Sequence, residues 1–175
     1  MATTYTNPAS HTMEQPFHIG LGQSSTSAVI DAGTKNRSSK NGREFMFVCV
    51  DSDGVAPISG APCVFTNCTA QLVVTADCSE AITAGGGGAF AGTFCSDQTC
   101  AGGAGKFYMW IQTKGRVPGA YGEDLTAGDA LAVGNQLGNY FVSIDDIATG
   151  NDDHYVVVGY ALASGSSSKG DIVLI

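Results

Sequence analysis

The sequence predicts an all-β protein, a small antiparallel sandwich or barrel with an extended N-terminal arm, and three observations carry that expectation. Glycine supplies 24 of 175 residues, about twice its usual share of roughly 7%, and each glycine inside a helix costs on the order of 1 kcal/mol relative to alanine. The stretches between glycines are short and rich in Thr, Val, Ser and Cys, which suit a pleated surface better than a helix. Short apolar runs recur along the chain, closed by the Gly, Asp, Asn and Ser that turns use. With 43% hydrophobic content, the chain has enough apolar material for a single core, so one domain with an arm is the expected organisation.

Residues 1–35 are read as the arm, because apolar residues there follow no period. Two apolar islands interrupt it, Pro16-Phe17-His18-Ile19 and Ala28-Val29-Ile30, and they single out Pro16, Phe17, Ile19, Val29 and Ile30 as candidate partner contacts. The alternative is that they lie against the domain's own surface. If the arm is an appendage, deleting residues 2–30 spares the fold. Thr34 to Gly42 reads as a polar, basic connector into the β domain, residues 36–175.

Glu44 to Val50 (EFMFVCV) is a strand with Phe45, Phe47 and Cys49 on one face, closed by the turn chemistry of Asp51-Ser52-Asp53-Gly54. Further strands are expected at about 61–66 and 70–75. Residues 84–105 form a Gly/Cys-rich loop with a short strand at Ala89 to Phe94, and a loop of that length in a compact domain is usually functional or mobile. Lys106 to Thr113 (KFYMWIQT) is the clearest strand, and Lys114-Gly115 is expected to end it. Tyr140 to Ile144 and Tyr155 to Leu162 follow, joined by an acidic turn. An internal echo, Ala127-Gly128-Asp129 and Lys169-Gly170-Asp171, is read as two Gly-Asp turns that each launch a short apolar strand.

The net charge is −8, and it is unevenly spread. Lys35, Arg37, Lys40 and Arg43 form one basic cluster and Lys106, Lys114 and Arg116 another, in a chain that otherwise repels phosphate, so nucleic acid is not an expected partner. No apolar run approaches the roughly 18 residues that cross a bilayer, so no membrane association is expected. The N-terminal sequence lacks a basic n-region and an apolar h-region, so synthesis in a host cytoplasm without export is the expectation.

The six cysteines stand at 49, 63, 68, 78, 95 and 100. Cys63/Cys68 and Cys95/Cys100 have a Cys-x4-Cys spacing, whereas structural zinc wants Cys-x2-Cys knuckles or Cys/His sets, so no metal is assigned. Cys49 reads as a buried core thiol. At least one disulfide is expected among the other five, with Cys95/Cys100 and Cys63/Cys68 as candidates, which places the finished protein outside a reducing cytosol.

No catalytic constellation is legible, and no enzyme activity or cofactor is expected. His154 beside Asp152 and Asp153 has no nucleophile elbow, and Gly85 to Gly88 lack the Lys and Ser/Thr of a phosphate loop. The turns at Asp51 to Gly54 and Asp145 to Asp153 offer oxygens for calcium but not the Glu and flanking helices of an EF-hand.

Several segments together resemble small virion proteins of tailed bacteriophages, the capsid decoration or cement proteins. They are Arg43-Glu44-Phe45, Tyr108-Met109-Trp110-Ile111-Gln112-Thr113-Lys114-Gly115, Ala127-Gly128-Asp129-Ala130-Leu131, Val158-Gly159-Tyr160-Ala161-Leu162 and Lys169-Gly170-Asp171-Ile172-Val173-Leu174-Ile175. The resemblance covers roughly residues 106–175. It implies a non-enzymatic β protein on the outer surface of the virion capsid that binds the major capsid protein, as a homo-oligomer such as a trimer or through lateral contacts. The alternatives are a head-fibre or tail structural component, or a carbohydrate-binding β-sandwich with Tyr108 and Trp110 as its stacking platform.

Overall fold

The computed structural model describes residues 21, 23–26, 28, 30–38, 41–51, 55–67, 72–78, 89–97, 107–122, 125–133, 140–146, 156–164 and 169–175. Their regular elements are strands, with one short 3-10 turn at Ile144–Asp146: β1 Ser24–Ser25, β2 Lys35–Arg37, β3 Glu44–Asp51, β4 Pro62–Asn67, β5 Val73–Thr75, β6 Phe90–Phe94, β7 Phe107–Tyr121, β8 Ala130–Val133, β9 Phe141–Ser143, β10 Gly159–Ala161 and β11 Lys169–Leu174. The chain is all-β, as its glycine content and turn-bounded runs predict.

Five strands close a barrel. β3 pairs with β5, β5 with β4, β4 with β6 and β6 with β7, and β7 returns to β3 from Glu44↔Lys114 to Val50↔Phe107. Closure leaves these five strands with few open edges. The β3–β5 pair is parallel, a departure from the antiparallel arrangement expected, and the chain between them, which includes β4, is long enough to make the crossover. Met46, Val48, Val50, Val74, Met109 and Ile111 fill the interior.

Alternate residues of β3 and β7 point outward, where Phe45, Phe47 and Trp110 form a second cluster under Leu21, with Ile30, Cys95 and Tyr108 at its margin. Phe47 meets Trp110 edge-on with ring centroids 5.3 Å apart and stacks on Tyr108 at 6.1 Å. Both faces of β3 are therefore buried, which explains why EFMFVCV is apolar at successive positions.

The described part of the expected arm is built into the fold. β1 pairs with Tyr108 and Met109, Gly33 N donates to Phe47 O, Phe47 N donates to Thr34 O, and β2 adds to β3. Leu21 and Ile30, which lie within residues 2–30, pack in and against the cluster of Phe45, Phe47 and Trp110, so this part of the expected arm lies against the domain's own surface. Two- and three-residue strands leave no periodic trace in a sequence, so they were not legible there.

β7 runs for 15 residues to Tyr121, whereas the sequence reading ends it at Lys114-Gly115. Gly115 has φ of +88°, a conformation that costs glycine little, and pairing shifts register between Glu44 and Phe45. The buried Gln112 side chain brackets the bend: its Nε2 lies 3.0 Å, 3.2 Å and 3.0 Å from the carbonyl oxygens of Lys114, Gly115 and Arg116. A strand end in the sequence is thus a corner in the fold. Before it β7 pairs with β3 and β6, and after it with β11.

From β11 the sheet continues through β10, β8 and β9. Its inner face buries Val117, Leu131, Phe141, Ala161, Ile172 and Leu174. Of the two echoed Gly-Asp pairs only the first makes a turn: Asp129 N donates to Thr126 O, and Thr126 N donates to Asp129 Oδ2. Gly170-Asp171 lies inside β11, at a register shift opposite Pro118 and Gly119. Proline has no N–H for the ladder, and the irregularity absorbs that loss. One more expectation changes: Val156 to Val158 precede β10 rather than belonging to it. The short strand expected inside the Gly/Cys-rich segment is present as Phe90–Phe94, a barrel strand, while residues 84–88 and 98–105 lie outside the described residues.

Candidate functional site

The outer face of the β7–β11–β10–β8 sheet is the surface best suited to meet a partner. Register sets Arg116 beside Val173, Val173 beside Tyr160 and Tyr160 beside Ala130. All four are half-buried or exposed, whereas the neighbouring Ile172, Leu174, Ala161 and Leu131 are buried, as strand alternation requires. Tyr160 is 43% exposed, Leu162 48% and the terminal Ile175 62%. Gly159 holds the strands together, since a Cβ there would stand 2.3 Å from Val173 O.

An ion pair fixes one margin of this face. Arg116 Nη2 donates to Asp171 Oδ2, and Gly119 N donates to Asp171 Oδ1 at 3.2 Å. The Arg116 hydrogen bond first, then the one from Gly119, hold the Asp171 carboxyl below its usual range. The arrangement is a fixed polar margin beside exposed apolar groups on a hydrogen-bonded sheet. Its chemistry is non-covalent contact.

Next to it an apolar cleft of about 730 Å³ separates barrel residues such as Phe65, Leu72 and Ala91 from Val133, Val156 and Ile175. Lys35 stands at its lining.

Of the residues singled out in the arm, Pro16, Phe17, Ile19 and Val29 lie outside the described residues. Ile30 packs against the Leu21, Phe45, Phe47 and Trp110 cluster, so part of its apolar surface is spent within the domain. Trp110 is fully buried and Tyr108 half-buried. They do share a face, but that face is covered, which removes the stacking platform on which the carbohydrate-binding alternative rested.

Cys49, Cys63, Cys78 and Cys95 are not in disulfide bonds, while Cys68 and Cys100, needed for the two Cys-x4-Cys bridges, lie outside the described residues. Cys63 Sγ donates to Gly92 O at 3.3 Å and Cys78 Sγ to Pro62 O at 3.8 Å. Burial pushes the Cys63 thiol well up and those of Cys78 and Cys95 to about 12. At neutral pH they are thiols rather than thiolates, and so poor nucleophiles. His154, Asp53, Asp152, Asp153 and Gly85 to Gly88 lie outside the described residues.

Sequence reasoning missed Gln112 as the bracket of the β7 corner and Arg116–Asp171 as a cross-strand pair. The first had no sequence signal. The second had a faint one, the proline two residues after Arg116. Among the described residues no helix is long and apolar enough to cross a membrane. Compared with family models, with curated proteins and with solved structures, the chain has no match.

Proposed function

We propose that this chain is a structural virion protein that decorates the outside of a phage capsid, binding the major capsid protein and bracing its neighbouring subunits. The observation that carries this reading is topological. Four of the five segments on which the resemblance rests belong to β7, the Thr126–Asp129 turn with β8, β10 and β11, which follow one another in the sheet order, and the fifth, Arg43-Glu44-Phe45, opens β3, the strand that pairs with β7 before its corner at Gly115. Motifs scattered over about seventy residues of sequence are thereby one structural unit, and its outer face presents Tyr160, Leu162 and Ile175 to solvent.

Exposed apolar side chains on a rigid sheet are what a protein contact uses. The work done is non-covalent: the face docks on capsid subunits and on neighbouring copies of itself, with a trimer as the oligomer the resemblance implies. No nucleic acid, membrane or cofactor enters the mechanism. Quantitative mass spectrometry of purified particles tests it. The chain is expected at copy numbers proportional to the major capsid protein. Absence from particles, or only a few copies in each as for a tail or fibre component, would overturn the assignment.

A further inference from the structure

The apolar cleft between the barrel and the second sheet is bounded by both hydrophobic cores. Val64 and Ala91 belong to the barrel core, and Phe90 and Val133 pack against the core of the second sheet. Backbone pairing fixes each wall, β4 with β6 on one side and β8 with β10 on the other.

Its polar content is small and one-sided. Thr113 and the Cys78 thiol are the uncharged polar groups of the lining, and Lys35 is its one charged side chain among the described residues. The β2–β3 register sets Lys35 beside Met46, and side chains opposite each other in a ladder share a face. The lysine stem therefore runs along the barrel wall of the cleft while its ammonium stays in solvent. The ion pairs among the described residues are Arg37–Glu44 and Arg116–Asp171, and neither uses Lys35.

A volume of about 730 Å³ falls within the roughly 300–1,000 Å³ usual for small-molecule sites, whose linings are apolar with a few placed polar groups. Water in such a space finds few partners, so an apolar group that displaces it gains affinity. A peptide would bring backbone N–H and C=O groups against the same lining, at a cost for each one left unpaired. A hydrocarbon chain brings none.

We propose that this cleft binds a free fatty acid, its hydrocarbon chain against Phe65, Phe90, Val133 and Val156 and its carboxylate at the Lys35 ammonium. The site is independent of the capsid assignment, and either can fail without the other.

The test is isothermal titration calorimetry of the full chain at low ionic strength with decanoate, with decanol and with a short Val/Leu-rich peptide ending in Glu. Saturable one-to-one binding of decanoate is expected. Ala89→Trp, which fills the cleft from an exposed position, should abolish it. Lys35→Glu should weaken decanoate binding about fivefold and leave the affinity for decanol unchanged, whereas Lys169→Glu changes neither. Should Ala89→Trp not fold, Val156→Trp takes its place, at a lining residue that is 75% exposed. The absence of saturable decanoate binding would overturn the site, as would equal affinity in the wild type and in the filled variant, or tighter binding of the peptide than of decanoate. Equal decanoate affinity in Lys35→Glu, or an equal loss of decanol, would overturn the carboxylate contact.

Discussion

Gln112 Nε2 lies 3.0 Å from the carbonyl oxygen of Arg116, four residues further along the same strand. The amide satisfies carbonyls that the bend at Gly115 takes out of the regular ladder, and it does so from a buried position. It therefore holds the point at which the barrel becomes the outer sheet.

Replacing that amide by an apolar group of similar size tests this role. Gln112→Leu leaves carbonyl oxygens in a partly buried bend without their donor, at a cost of about 1–3 kcal/mol. Urea denaturation is expected to show a lower midpoint with an unchanged slope. A variant as stable as the wild type would mean that water replaces the amide without loss.

Asp171 gives a pH signature. Its folded-state pKa is lowered by Arg116 and Gly119, so it contributes stability above its unfolded-state pKa of about 3.9, and that contribution is lost as pH falls through the folded value. Asp171→Asn is expected to be less stable than the wild type at pH 7, with the gap narrowing below about pH 4. A gap independent of pH would assign the effect to packing instead.

The buried thiols give the opposite slope. With Cys78 and Cys95 pushed up to about 12, the unfolded chain releases protons from about pH 8.5 upward that the native chain retains, so stability falls as pH rises. In the native state Cys63 and Cys78 should resist alkylation at pH 7.5 and react fully in denaturant. Rapid labelling of these two in native protein, read by peptide mass spectrometry, would contradict their burial. The same maps, run without reductant on protein from particles, report whether Cys68 or Cys100 takes part in a bridge.

Leu21 is 4% exposed over Phe45, Phe47 and Trp110. Leu21→Ala is expected to cost about 2–3 kcal/mol, and the double variant Leu21→Ala/Ile30→Ala to lower the melting temperature further. Trp110 fluorescence reports the same event, because uncovering the ring shifts its emission to the red. A double variant as stable as the wild type would show that Leu21 and Ile30 are dispensable.

β3 was legible in the sequence because its apolar run ends at Asp51 and the Ser-Asp-Gly that follow it, residues with turn chemistry. The corner at Gly115 was not, since a Lys-Gly pair closes a hairpin and bends a continuous strand with the same residues. Only the long-range partner decides, here β11 for Gly115 through Tyr121. β1 was lost for a related reason: two serines have no periodicity, and they pair because Leu21 nearby seals a hydrophobic face. The outer face followed from alternation once β10 and β11 were paired, but the apolar cleft depends on how the barrel meets the second sheet, which no local pattern encodes.

The central claim is that the β10–β11 outer face docks this protein on a capsid. The direct measurement is co-sedimentation of the purified chain with heads that lack it, comparing the wild type with Tyr160→Asp/Leu162→Asp. Wild type should pellet with the heads in a saturable ratio, and the double variant, folded by circular dichroism, should bind about tenfold more weakly or less, since two apolar contacts at the centre of an interface are replaced by charges. Wild type that stays in the supernatant, or a variant that binds as tightly, would contradict the account.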